Sequence, residues 1–594
     1  MGTIDARRQA MAELERASLL DPNRLQTLLD LGRLCLETGQ RQRGRSCYER
    51  AQRVAPDDPE AYLALGYAWT WEWLSSFEDV SLSRARQNLA RATELAPERA
   101  EAWGRLAALE VARGQVGRAA AAAIRGCAVD PQAWEPIIAL ACAMYRAGAL
   151  GRADSVFRAA RERLPEQLAG RFRNPIWSRD GHDGEHDIEV AGADGDARWE
   201  VNDPDMTTPE NEAELDYETR LGLALLLFRD ANGLRWDIRT ELFVRYGPPR
   251  AVEINPVSSP LAYWYNRNYT LPAQAKNYFP EPMFFPYNVQ VWWYPELGIR
   301  AELWDRSLTQ SFQLPHSVDS DPDPRPQPAL IDARPDLVSL GEGLGVYRAM
   351  APGSRPIPAW GHIARFPSAD GAFLVAHVVT AGEPTDSLLG AWAVVSSDGR
   401  VITRGSAPLA TSACDPTGHQ VADFTVPAPA GDYRVDLTVS GSGGRRGIVR
   451  LAASVPPPDT GLALSDVVMT CGADGASLTP GAVRIEPDMD RHVRGSRPLT
   501  VYFEIDGLTP DADGRARFAY TYSVRHEKDG RRRKGETPVA FEASREEVND
   551  GVRRRQFVTV PMRSIKSGTY DLRIEVRDLV AGATASSELR FVKE

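Results

Sequence analysis

Along residues 1–165 the apolar positions return with a helical period, and from about residue 345 onward they alternate with a period of two. The helical part is also periodic on a larger scale. Pro22, Pro56, Pro97, Pro131 and Pro165 close successive units, at steps of 34, 41, 34 and 34 residues. The long step reads as the same unit with a seven-residue insertion, WLSSFED or close to it. Each unit holds two apolar stripes separated by a turn, which predicts a stack of helical hairpins. Residues 1–22 supply only a second helix, with Ala10, Leu14, Ala17, Leu20 and Pro22 at second-helix positions. A half unit leaves an apolar face uncovered, so the expectation is a natural start upstream of Met1.

Between the two regimes the period changes repeatedly. Asn211–Phe228 has helical spacing through Leu215, Leu221, Leu225 and Phe228. Thr208-Pro209-Glu210 reads as its start and Gly233 as its terminator. Thr240–Tyr246 alternates and predicts a strand, stopped by Gly247-Pro248-Pro249. VQVWWYP and GIRAELWD then predict a hairpin turned at Pro295–Gly298. From residue 345, HIARF, FLVAHVV, LLGAWAVVS and VITRGSA have strand character. Two late segments match one another: Gly431, Tyr433, Val435, Leu437, Val439 and Gly568, Tyr570, Leu572, Ile574, Val576. Each reads as a half-buried antiparallel strand, with Tyr433 and Tyr570 placed as tyrosine corners of immunoglobulin- or fibronectin-like sandwiches.

The helical units resemble the tetratricopeptide repeat (TPR) position by position. Leu28, Tyr62, Trp103 and Ile137 fall at the first-helix apolar position, followed by Leu31-Gly32, Leu65-Gly66, Leu106-Ala107 and Leu140-Ala141. Gly39, Gly114 and Gly148 stand at the inter-helix turn, and Gly44, Ala85, Ala119 and Ala153 at the small second-helix position. The resemblance implies a groove lined by the first helices, with Arg33, Glu37, Tyr67, Trp71, Tyr145 and Arg146 facing a protein partner. Aromatic and arginine side chains are the usual anchors in such interfaces.

The middle of the chain resembles the bacterial GWxTD domain. Its blocks appear in order: Pro209-Glu210-Asn211, then Gly233, Trp236, Asp237 and Arg239, then Tyr246, Gly247 and Pro248, and finally Trp292-Trp293-Tyr294 and Leu303-Trp304-Asp305. The signature itself departs from the family: the threonine is missing and the spacing is shifted. The resemblance implies a fold neighbourhood without an activity. Asp237 and Arg239 are expected to pair across the motif turn.

These readings give a multidomain α + β chain. Its segments are a TPR α-solenoid (1–168), an acidic linker (169–206), a mixed α+β GWxTD-like domain (207–315), a Pro/Asp-rich linker (316–344) and two immunoglobulin/fibronectin-like β-sandwiches (345–458 and 459–594). Net charge is −11, which argues against a nucleic-acid partner. No apolar run reaches the length of a membrane helix, and residues 1–17 lack a signal-peptide core. Location is therefore cytoplasmic as the chain stands, or the cell envelope if the start lies upstream. The six cysteines, Cys35, Cys47, Cys127, Cys142, Cys414 and Cys471, lack metal-site spacing and read as free structural thiols.

Candidate chemistry is sparse. His182, Asp183, Glu185, His186 and Asp187 lack any metal-loop pattern and read as a solvated acidic loop, so no metal or cofactor is expected. The basic runs Arg531–Lys534 and Arg553–Arg555 read as hairpin tips. The loop from Tyr263 to Tyr287 is rich in aromatics and proline. It suits core packing or, with Trp264, Tyr287 and Trp292, a shelf for a glycan. A paired-carboxylate hydrolase could be built from Asp237, Glu302 and Asp305, at distances the sequence does not set. The favoured reading is a non-catalytic scaffold that binds protein through its repeats. A glycan- or cell-wall-binding protein and a hydrolase are the alternatives.

Overall fold

The computed structural model describes residues 4–37, 40–173, 199, 203–230, 233–234, 237–254, 289–295, 299–304, 312, 355–368, 371–381, 387–412, 414, 418–457, 461–471, 487–488, 491–526 and 539–594. The chain is a multidomain α+β protein, with helical repeats first and a strand-rich region last. It divides into two compact units, Met1–Pro204 with Glu210–Gly353, and Asp205–Pro209 with Ser354–Glu594.

In the first unit a single helix, α1 (Ile4–Leu20), packs on a series of helical hairpins. These are α2 (Leu25–Glu37) with α3 (Arg41–Val54), α4 (Pro59–Ser76) with α5 (Asp79–Leu95), α6 (Ala100–Ala112) with α7 (Val116–Val129), and α8 (Trp134–Arg146) with α9 (Leu150–Arg161), followed by α10 (Glu166–Arg173). The chain chemistry fixes their ends. Asp58 caps α4 by accepting from the Glu60 amide at 2.8 Å, with Pro59 in the first turn. Gly114 and Gly148 make the inter-helix turns at φ 72° and 76°, a conformation that favours glycine. Small residues let the paired helices touch: a Cβ on Gly66 would stand 2.5 Å from Leu89, and Ala85, Ala119 and Ala153 have no exposed surface.

After the repeats comes α11 (Glu212–Leu227). Its cap is Asn211, whose side chain accepts from the Glu214 amide at 3.0 Å, and it ends at Phe228. The expected start at Thr208 is thus three residues early. Residues 205–209 form a separate turn, in which Asp205 accepts from the Thr207 amide and hydroxyl. Gly233 is not the terminator; with Leu234 it forms a two-residue strand.

Residues Ile238–Tyr246 are helix, α12, and not the expected strand. Seven residues of alternation fit either period. The ends decide it: Asp237 caps the N-terminus by accepting from the Arg239 amide at 2.9 Å, and Gly247 at φ 82° closes the C-terminus with its amide on the Phe243 carbonyl. Strands β1 (Ala251–Ile254), β2 (Val289–Tyr294) and β3 (Ile299–Trp304) form an antiparallel sheet with β2 in the centre. The repeats, α11, α12 and this sheet share one continuous apolar core, from Tyr48 to Phe312.

The second unit is built from strands β4 (Ala359–Ser368), β5 (Gly371–Ala381), β6 (Leu389–Ser396), β7 (Val401–Pro408), β8 (His419–Ala428), β9 (Gly431–Gly441), β10 (Arg445–Val455), β11 (Leu499–Asp506), β12 (Arg515–His526), β13 (Val539–Asp550), β14 (Arg554–Val560), β15 (Gly568–Asp578) and β16 (Thr584–Lys593), with short strands at their edges. Sheet β7-β6-β9-β10 faces sheet β8-β5-β4 over one core, and a sheet around β11 and β14 faces β16-β15-β12-β13 over another. The Tyr433 hydroxyl donates to the Pro429 carbonyl and that of Tyr570 to the Lys566 carbonyl, both at 2.9 Å, which is the tyrosine-corner geometry.

The two sandwiches are joined within this unit. Ala364 and Phe366 of β4 pack on Val468 and Tyr502, and Arg365 pairs with Asp466 at 2.8 Å. Cys414 and Cys471 are bridged by a disulfide. The expectation of free thiols is corrected for these two; pairing across 57 residues and two cores is not readable from spacing. Cys35, Cys47, Cys127 and Cys142 remain free.

Candidate functional site

The candidate site is the face lined by the first helices of the repeats. Helix α11 of the same chain lies on it, packed against α8, α6, α9 and α4. Every residue of α11 from Glu212 to Leu227 except the half-buried Glu214 is buried. The approach to α8 is close because Gly222 faces it: a Cβ there would stand 2.6 Å from Ile138 and 3.1 Å from the Cys142 sulfur. The Cys142 thiol in turn lies 3.5 Å from the Thr219 carbonyl.

Burying a helix that carries charges requires partners for them. Arg105 of α6 donates to the Leu226 carbonyl at 3.0 Å, which places a cation at the negative end of α11. Its guanidinium also lies over the Tyr67 ring, 4.2 Å from the centroid. Arg161 of α9 reaches two carboxylates on α11, Glu218 at 3.0 Å and Glu214 at 3.5 Å. Glu218 has no exposed surface, and burial pushes its carboxyl up to about 8; Arg161 opposes that rise, and Glu214 and Asp154 add to it. Asp216 pairs with Arg220, which donates to the Arg245 carbonyl at 2.6 Å and so ties α11 to α12.

The second part of the site is the motif turn. Asp237 binds the Arg239 guanidinium at 2.7 and 3.0 Å and accepts from the Phe312 amide at 3.2 Å. The expected ion pair is therefore present, and it is buried. Arg239 lies between two rings, 4.3 Å from the Phe312 centroid and 5.7 Å from that of Trp71. Tyr246 meets Tyr294 edge-on, and the Tyr294 hydroxyl donates to the Gly247 carbonyl at 3.1 Å, so the turn before Pro248 is seated on β2.

The sequence-based candidates separate on this geometry. Tyr145 lies within the core shared with the central region and has no exposed surface, Tyr67 packs against that core with its hydroxyl donating to Glu101 at 2.6 Å, and Trp71 is buried beside Arg239. Arg146 is half-buried. Arg33 is exposed and pairs with Asp30 at 3.1 Å and with Glu37 at 3.9 Å. Trp292 is corrected as a shelf residue. It is fully buried, donates to the Gln290 side chain at 3.0 Å and meets Phe77 of the repeat insertion edge-on. Trp236, Trp264, Tyr287, Asp305, the cluster His182–Asp187 and the run Arg531–Lys534 lie outside the described residues. Glu302 pairs with Arg300 at 2.5 Å, so the two described carboxylates offered for acid–base chemistry, Asp237 and Glu302, are each committed to an arginine.

Arg105, Arg161 and Glu218 are the residues that reading the sequence missed. One had a signal. Arg105 occupies the repeat position held by Ala64 and Ala139, 41 residues before it and 34 after, where an arginine breaks the pattern.

A tetratricopeptide-repeat family model matches residues 25–68, which cover α2, α3 and the first part of α4. Among solved structures, MamA is 22% identical over 27% of this chain and 83% of its own, with a TM-score of 0.24. MamA from Desulfovibrio magneticus RS-1 is 17% identical over 26% of this chain and 84% of its own, with a TM-score of 0.24. YrrB, described as a TPR protein with an unusual peptide-binding site, is 17% identical over 26% of this chain and 80% of its own, with a TM-score of 0.23. No curated protein matches the chain.

Proposed function

We propose that the chain is a non-catalytic scaffold whose later repeats grip its own central segment and whose first repeat is left for protein partners. The observation that carries this is the seat of α11 on α4, α6 and α8. Its six leucines are all buried. At roughly 1.5–3 kcal/mol each, their burial is of the same order as the stability of a whole domain, so an outside peptide does not displace α11 cheaply. Tyr67, Trp71, Tyr145 and Arg146 then serve the groove's internal occupant. Arg33 and Glu37, on α2, are the groove positions offered to a partner. The peptide-binding site named for YrrB supports a peptide or extended segment as the partner class.

The central region, residues 207–315, acts on this reading as a GWxTD-like domain that docks on the repeats, and the sandwiches extend the scaffold. The Cys414–Cys471 disulfide favours an oxidising compartment, as for a protein of the bacterial cell envelope. The test is affinity capture from the source organism with wild type, Arg33→Glu and Trp71→Ala. The reading expects Arg33→Glu to lose the partner at unchanged thermal stability, and Trp71→Ala to lower stability. Recovery of the same partner by wild type and Arg33→Glu overturns it.

A further inference from the structure

The first helical hairpin holds two of the free cysteines side by side. Cys35 on α2 is fully buried and Cys47 on α3 is half-buried. The two helices are in tight contact here. A Cβ on Gly32 would meet the Tyr48 ring at 2.5 Å, and one on Gly44 would meet the Gly32 carbonyl oxygen at 2.9 Å. Gly32 lies one turn before Cys35, and Gly44 one turn before Cys47. Across this contact the two thiols hydrogen-bond to each other.

The surroundings make the two sulfurs unequal. The hydrogen bond from Cys35 and the guanidiniums of Arg43 and Arg50 bring the Cys47 thiol down to about 7, against burial and the carboxylate of Glu15. Cys35 is driven the other way by the same bond and by burial. Cys127, also half-buried, is pushed up by burial. The pair thus has a partly exposed, readily ionised sulfur backed by a buried one, which is the arrangement of an attacking thiol and a resolving thiol.

We propose that Cys47 and Cys35 are a peroxide-responsive dithiol that closes to a disulfide across the α2–α3 hairpin. The Cys47 thiolate attacks one peroxide oxygen. The O–O bond breaks, hydroxide leaves, and Cys47 becomes a sulfenic acid. The Cys35 sulfur then attacks that of Cys47, the S–O bond breaks, and the departing hydroxide takes the Cys35 proton to leave as water. Overall two thiols and one hydrogen peroxide give one disulfide and two waters. The bond ties together the two helices of the first repeat.

The test uses the full chain with Cys414–Cys471 intact. Alkylation at neutral pH is expected to be about tenfold faster at Cys47 than at Cys127. One equivalent of hydrogen peroxide is expected to remove two of the four free thiols. Peptide mapping should then show a Cys35–Cys47 link, with Cys127 and Cys142 still alkylatable after denaturation. The Cys35→Ser variant should accumulate a sulfenic acid at Cys47 that dimedone traps, and Cys47→Ser should leave Cys35 unoxidised. Equal alkylation rates at Cys47 and Cys127, or over-oxidation of Cys47 without a link to Cys35, overturns the proposal. Both of those readings come from the wild-type chain and do not depend on either variant folding.

Discussion

Replacing Glu218 by glutamine tests how α11 is held. The carboxyl has no exposed surface, and burial pushes it from 4.5 up to about 8 although Arg161 stands 3.0 Å away. A folded-state value above the unfolded one means that the folded chain binds the extra proton. The stabilisation is therefore fully present below about pH 4.5 and is lost as pH rises through about 8. At about 1.4 kcal/mol per unit the loss amounts to as much as ~5 kcal/mol, and to about 3 once Arg161 readjusts around the ion. Glutamine keeps the shape and removes the titration. The assay is the labelling rate of Cys142, which is covered by α11 and reacts only when the unit opens. Taking the ratio of variant to wild type cancels the reagent's own pH dependence. The ratio should be near one at about pH 5 and fall about 100-fold by about pH 8. A ratio independent of pH, or a variant that opens faster throughout, would show that Glu218 works as an ionised partner of Arg161 and refute the reasoning.

Two further outcomes follow from packing and charge. Gly222→Leu adds a side chain whose Cβ alone would stand 2.6 Å from Ile138, and should destabilise the first unit by about 3 kcal/mol, read as a lower urea midpoint; an unchanged midpoint contradicts the close approach of α11 and α8. In the second unit His362 of β4 is pushed down to about 3, first by burial, then by His377 and Arg491, with Asp466 opposing. Its folded value lies below 6.5, so its stabilisation is present above about pH 6.5 and lost as pH falls towards 3, at about 2–4 kcal/mol after allowing for partial exposure. The urea midpoint of this unit should therefore drop in acid, and His362→Leu should remove most of that drop.

Much of the architecture was readable, for identifiable reasons. Proline spacing and small residues such as Ala119 and Ala153 report helix contacts made within one repeat, and Gly-x-Tyr followed by alternation reports one strand edge, so local pattern suffices. Asp237 and Arg239 were paired correctly because they are two residues apart. The reading of α12 as strand failed because the period was weighed above the ends, although Asp237 and Gly247 were visible as caps. What α11 does was not readable at all. Its acids and Arg220 look like a solvated face, and only the repeats, more than fifty residues away in sequence, turn that face inward. The Cys414–Cys471 bridge has the same character, since it joins two separate cores.

The central claim is that α11 is a fixed part of the repeat face. Hydrogen exchange of the amides of residues 212–227 in the intact chain tests it most directly. The account predicts protection equal to that of α6 and α8, lost together with theirs in a single cooperative step as denaturant is raised. Fast exchange across α11 while α6 and α8 stay protected would contradict it and return the whole groove to an external ligand.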